Sequence, residues 1–140
     1  MATAAVRDEL TAPIERVWGC LADFGDVSAW APGPVRVTVE GDGVGAVRTV
    51  DGNDAPAIRE RLVAYDPVGH MFSYEMLDSP FPFTDYVATV RIASVGASRT
   101  AIEWSSSFEP RGVSAEEAAQ TIESIYKVFI ERLKDSLAAR

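Results

Sequence analysis

Arg48 and Glu60 are the first residues in this chain whose types and spacing could do chemistry. Arg48 stands in "AVRTV" at the parity of Ala46 and Val50, and Glu60 stands between Ile58 and Leu62 at theirs. Alternate side chains of a strand share one face, so each charge falls on an apolar face. A reversal around Asn53 and Asp54 sets the two nearly opposite each other. They are expected to pair, because a lone charge taken out of water is strongly destabilising. The pair then either satisfies both charges inside the fold or serves a ligand. In the second case Glu60 acts as a general acid or base and Arg48 polarises a carbonyl.

The same alternation turns Phe72, Tyr74 and Met76 inward, then Tyr86, Ala88 and Val90, then Ile102, Trp104, Ser106 and Phe108. A buried phenol or indole carries an O–H or N–H that needs a partner. Several of them on one concave face describe an apolar pocket with a few polar handles, although ordinary core packing uses the same residues. Tyr74 joins Glu60 as a candidate for moving protons. Asp8, on the face of Val6 and Leu10, could join the same set, though strand-end carboxylates are commonly solvated.

Other chemistries lack their residues. His70 is the sole histidine, at a turn-to-strand boundary, so a multi-histidine metal site or a histidine relay is not expected. Cys20 is the sole cysteine, which excludes an internal disulfide and a thiolate metal site. It lies in an apolar helical pattern and reads as a buried, inert thiol. Ser105, Ser106 and Ser107 simply alternate in a strand and form no nucleophile elbow. Gly41, Gly43 and Gly45 resemble a dinucleotide loop, but the alternating "AVRTV" follows them where a helix would be required. They read as a hairpin turn. No metal or cofactor is expected.

The elements that must position these residues follow from periodicity. Residues 4–10 form a first strand. "TAPIERVWGCLADF" has Ile14, Val17, Trp18 and Leu21 at helical spacing, with Pro13 in the first turn. A second short helix is expected from Asp26 to Trp30, ended by "APGP". Six strands then run from Val35 to Phe108, with breaks such as "DPVG", "DSPFPF" and "VGAS". These breaks are too short for crossover helices, so the sheet is antiparallel. Ser114 and Glu117 make a capping box for a final helix of about 24 residues and about 36 Å. Its stripe is Ala118, Ile122, Ile125, Phe129, Leu133 and Leu137. Glu116, Glu117 and Glu123 come early and Lys127, Arg132 and Lys134 late, as the helix dipole favours. The expected class is α+β, one domain over residues 1–140.

Formal net charge is −8, and two of the thirteen basic residues are lysines. An acidic chain without a basic cluster is a poor partner for nucleic acid or an anionic membrane. The first ten residues have no apolar leader and no segment reaches membrane-spanning length, so a cytoplasmic monomer or homodimer is expected.

Taken in order, "TAPIERVWGCLADFGDVSAWAP", "GDGVGAVRTV", "ERLVAYD", "SYEM", "PFPFTDYVATVRI" and "EWSSSF" resemble the START-like, or helix-grip, superfamily. They are most similar to its polyketide cyclase/dehydrase and lipid-transport branch. The resemblance implies a seven-stranded antiparallel sheet wrapped around the C-terminal helix, two short helices after the first strand, and a deep apolar cavity. Members bind lipids, sterols, polyketides and other hydrophobic molecules, and a minority catalyse cyclisation or dehydration. Carried over by position, Arg48, Glu60, Tyr74, Tyr86 and Trp104 line or stabilise the cavity. Trp30 and "PFPF" at 80–83 lie near its mouth, and Phe129 faces it from the last helix. No residue matches an established catalytic set. The implied function is binding of a small hydrophobic ligand, with a cyclase or dehydratase as the alternative.

Overall fold

A computed structural model describes residues 1–52 and 56–139. Seven strands and two helices follow in order: β1 Ala2–Leu10, α1 Ile14–Leu21, β2 Val35–Glu40, β3 Val47–Gly52, β4 Ile58–Asp66, β5 Met71–Asp78, β6 Phe83–Gly96, β7 Arg99–Pro110 and α2 Ala115–Ala138. All pairings are antiparallel, in the spatial order β1-β7-β6-β5-β4-β3-β2. From β2 to β7 each strand pairs with the next, as short connections dictate. The exception is β1, which joins β7 with Val6 opposite Trp104. The helix α2 packs against β1 and β7, and α1 closes the other end against β6, β7 and α2.

The glycine segment is a hairpin turn between β2 and β3. Gly41, Gly43 and Gly45 have φ of 89°, 61° and 98°, a region that residues with a Cβ seldom enter. Gly45 donates its N–H to the Leu62 carbonyl at 2.7 Å, and Leu62 donates to Ala46 at 2.9 Å. The turn thereby fixes the start of β3 against β4. Arg48 then stands directly across from Glu60. Val44, expected on the inner face with Ala46 and Arg48, lies in the turn and is exposed. The reversal at Asn53 and Asp54 lies outside the described residues.

Three local expectations need correction. The second short helix does not form, and Asp26 to Trp30 makes turns. Asp23 Oδ1 accepts the Gly25 N–H and Asp26 Oδ1 accepts the Ser28 N–H, so the short polar side chains take donors that a helix would use. One turn closes when Ala31 donates to Val27 at 2.8 Å, and Pro32 and Pro34 stop any continuation. Pro13 lies one position earlier than expected, as the extended residue that caps α1. In β4 the register shifts between Leu62 and Ala64, which reverses the alternation. Ala64 leaves the inner face, and Tyr65 comes opposite Phe72 with its ring 5.9 Å from Trp18.

The helix α2 starts as its sequence requires, with Ser114 Oγ accepting the Glu117 N–H at 3.1 Å. The Glu117 carboxylate accepts from Ser114 Oγ instead of reaching the Ser114 backbone, so half of the capping box is made. The late basic residues are used sideways, and the last turn holds none. Lys134 Nζ pairs with Asp8 at 2.8 Å, and Arg132 Nε donates to the Ala31 carbonyl at 2.8 Å. Ser136 Oγ donates to the Ala29 carbonyl at 2.7 Å, and Arg16 from α1 donates to the Leu137 carbonyl at 2.7 Å. Asp8 is thus spent on tying β1 to α2. Among the described residues, no helix is long and apolar enough to cross a membrane.

Replacing Ser114 with Ala should lower stability by about 1 kcal/mol, read from the urea midpoint. Lys134 holds the Asp8 carboxyl below its ordinary value, so this pair stabilises the fold above the unfolded carboxyl's titration range. That contribution is lost as pH falls through the folded value. In Lys134→Met the small acid-side decline due to Asp8 should disappear from a pH series of unfolding midpoints.

Candidate functional site

Between the β2–β5 half of the sheet, α2 and the segment 27–32 lies a cavity of about 350 Å³. Val35, Val50 and Ile58 line its sheet side, and Ile125 and Phe129 come from α2. Trp30 and Ala31 close it from the loop, with Phe81 opposite. Its walls are almost wholly apolar, and among the described residues Glu60 and Tyr74 bring its only carboxylate and its only hydroxyl. A wider depression of about 880 Å³ lies across the other end of the sheet, but it is open and edged by Arg7, Arg91 and Glu103. The smaller, apolar one has the build of a small-molecule site.

Arg48 lies behind this wall and is 1 % exposed. Its Nε donates to Glu60 Oε1 at 2.8 Å and its Nη1 to the Phe24 carbonyl at 3.1 Å. Three rings surround the guanidinium: Phe24 at 4.1 Å, Tyr74 at 4.9 Å and Trp30 at 5.4 Å from their centroids. These faces are attractive to a cation. Among the described residues, the buried Nη2 has no hydrogen-bond partner. Among the described residues, Glu60 has only its Oε1 engaged.

Tyr74 is held from behind. Trp104, fully buried, donates its indole N–H to the Tyr74 hydroxyl at 3.1 Å. The Tyr74 proton is left without a protein acceptor among the described residues. Trp104, Trp30 and Phe129 form a mutual triad with centroids 4.9–5.0 Å apart. Such pairs contribute about 0.5–1.5 kcal/mol each beyond the area they bury. Deeper still, Tyr86 and Tyr126 share a hydrogen bond between their hydroxyls. Burial pushes Tyr74 and Tyr86 well above the ordinary phenol range, and Tyr126 up to about 12. All three are neutral phenols near pH 7, so Tyr74 is a hydrogen-bond donor and not a base.

The expected site residues therefore separate into two layers. Trp30, Glu60, Tyr74 and Phe129 are on the cavity wall. Arg48, Tyr86 and Trp104 are not, and sit in the layer that fixes Glu60 and Tyr74. Of "PFPF", Phe81 faces the cavity and Phe83 is buried against Tyr86 and Phe108. His70 lies outside the site, edge-on to Trp18 and 3.7 Å from Glu15. Tyr126 was not among the expected residues, although its steps of four from Ile122 and to Ile130 mark it as inward. The buried stripe of α2 runs Ala118, Ile122, Tyr126, Ile130, Leu133 and Leu137. Ile125 and Phe129 are half-buried one step round the helix because they face the cavity. Among the described residues, no group of three or more His, Cys, Asp or Glu side chains could hold a metal ion.

The sequence profile of the polyketide cyclase/dehydrase and lipid transport family matches residues 1–138. The chain belongs to that family. No functionally curated protein matches it. A protein of known structure from Bacillus thuringiensis is 26 % identical with a TM-score of 0.88, covering 96 % of this chain and 98 % of its own. The XoxI protein from Bacillus cereus is 27 % identical with a TM-score of 0.88, covering 97 % and 95 %. Norcoclaurine synthase from Thalictrum flavum, solved with dopamine and hydroxybenzaldehyde, is 15 % identical with a TM-score of 0.73, covering 99 % and 87 %. At that identity the likeness shows the fold alone. Both the family and the likenesses agree with the helix-grip arrangement of one sheet around one long helix.

Replacing Arg48 with Met leaves a buried carboxylate uncompensated and should lower stability by about 3–5 kcal/mol. The double variant Arg48→Met with Glu60→Leu should recover most of that loss in urea unfolding. A double variant no more stable than the single would show that the two charges do not act as a pair.

Proposed function

We propose that this chain binds a small hydrophobic or amphipathic molecule, of lipid or polyketide type, in the cavity between α2 and the β2–β5 half of the sheet. The observation that carries the reading is the cavity itself. Among the described residues, an apolar space of about 350 Å³ has two polar side chains on its wall, Glu60 and Tyr74, both fixed by buried neighbours. Unfilled apolar space of this size costs stability, and an occupant that binds only the folded state returns some of it. The size favours a compact molecule, or one chain of a larger lipid, and the role is carriage or sequestration.

A cyclase or dehydratase is the second reading, because Glu60 and Tyr74 share one wall. Glu60 would take a proton and Tyr74, a neutral phenol, would donate one to a carbonyl. Arg48 already occupies Glu60 Oε1 at 2.8 Å, so that oxygen is committed to holding the wall together, which favours binding over turnover. In the catalytic case Glu60→Gln abolishes turnover with modest loss of binding, and equal losses count against it.

Two measurements test the binding reading. Native mass spectrometry of the gently purified protein should show a bound small molecule, and the neutral dye N-phenyl-1-naphthylamine should light up on uptake. Ile125→Trp fills the cavity from α2 and should reduce dye affinity at least about tenfold while costing no more than about 3 kcal/mol in stability. A wild-type protein that carries no small molecule and takes up no dye overturns the reading.

A further inference from the structure

Glu60 and Tyr74 make opposite demands on whatever touches them. A carboxylate accepts hydrogen bonds, and only Glu60 Oε1 is engaged among the described residues. Tyr74 has received its bond from Trp104 and keeps its own proton to give. An occupant that satisfies both must donate to Glu60 and accept from Tyr74, which a single hydroxyl can do.

Charge narrows the class further. The carboxylate is already balanced by Arg48 at 2.8 Å, so this end of the cavity is neutral as a pair. An anionic ligand would face Glu60 without a cation among the described residues of the wall, because Arg48 is enclosed by the rings of Phe24, Trp30 and Tyr74. A cationic one would add a second positive charge to the same low-dielectric region. The rest of the wall combines the rings of Trp30, Phe81 and Phe129 with aliphatic side chains such as Val35, Val50, Ile58 and Ile125, which suits a compact ring system.

Resting on the reading of the cavity as a binding site, we propose that it selects a neutral, compact, hydroxyl-bearing aromatic or alicyclic molecule, a phenol or alcohol, over carboxylates and over hydrocarbons of the same shape. The hydroxyl donates to Glu60 and accepts from Tyr74, while the ring system fills the space between β2–β4 and Phe129. Arg48 and Trp104 are positioning residues that hold these two atoms from behind.

Competition among three probes of one shape tests this. N-phenyl-1-naphthylamine bound to the protein is displaced at pH 7 by 2-naphthol, naphthalene or 2-naphthoic acid, the last being ionised at that pH. A hydrogen bond to a charged group corresponds to about 10- to 100-fold in affinity, so 2-naphthol should compete that much better than either of the others. Tyr74→Phe, which keeps the ring, should shrink the naphthol-to-naphthalene ratio by about tenfold. Glu60→Gln should shrink it likewise and improve 2-naphthoate, because Arg48 then lacks its counter-charge. If the dye binds and the three probes compete equally, or 2-naphthoate competes best, the selectivity inference is overturned while the binding reading stands. If the dye does not bind and native mass spectrometry shows no bound small molecule, both fall.

Discussion

Taking a guanidinium out of water costs more than burying any apolar side chain of its size, and Arg48 is almost wholly buried. The surrounding structure is fitted to offset that cost. Glu60 supplies the counter-charge from the neighbouring strand, the Phe24 carbonyl takes a second N–H, and three aromatic faces surround the planar group. Each of these fixes something else. Glu60 is held on the cavity wall, Phe24 ties the loop after α1 to β3, and Trp30 and Tyr74 are drawn to the same end of the interior. The glycine turn belongs to this arrangement, since it sets the register that puts Arg48 across from Glu60.

The cavity stays open because its supports are rigid. Two tryptophans and a phenylalanine meet pairwise at about 5 Å, and none of these rings can fold into the space as a flexible chain would. The loop carrying Trp30 is pinned to α2 by Arg132 and Ser136 through backbone carbonyls, so that wall cannot simply collapse inward. Burial in turn keeps the tyrosines protonated, which decides that the polar end offers a donor beside a carboxylate.

Much of this was legible in the sequence where a rule is local. Strand alternation placed Arg48 and Glu60 on one face and turned Tyr74, Tyr86 and Trp104 inward, because parity needs only one strand at a time. The cap at Ser114 and the length of α2 followed from residue types at fixed offsets. Parity failed at Ala64, where an extra residue enters the ladder and nothing in "ERLVAYD" marks it. The segment 26–30 misled because Asp23 and Asp26 bond their own backbone, a choice that competes closely with a helix. Which inward residues reach the cavity, and which stand behind it, depends on how far strands and helix separate. That is a tertiary distance, so Arg48 and Trp104 could not be told from Glu60 and Tyr74 by pattern.

The pairing of β1 with β7 bears on when this site comes into being. Ala2 lies opposite Phe108, and α2, which supplies Ile125 and Phe129, packs on the strand that opens the chain. Contacts between distant parts of a sequence form slowly, since a long loop must close before they return any energy. During synthesis the meander from β2 to β7 can assemble as it emerges, but its apolar face has no cover until the last helix follows. Until α2 docks, the strands are present and the cavity is not. Any occupant of the cavity can enter only once α2 has docked, and the exposed inner face is at its most aggregation-prone just before that step.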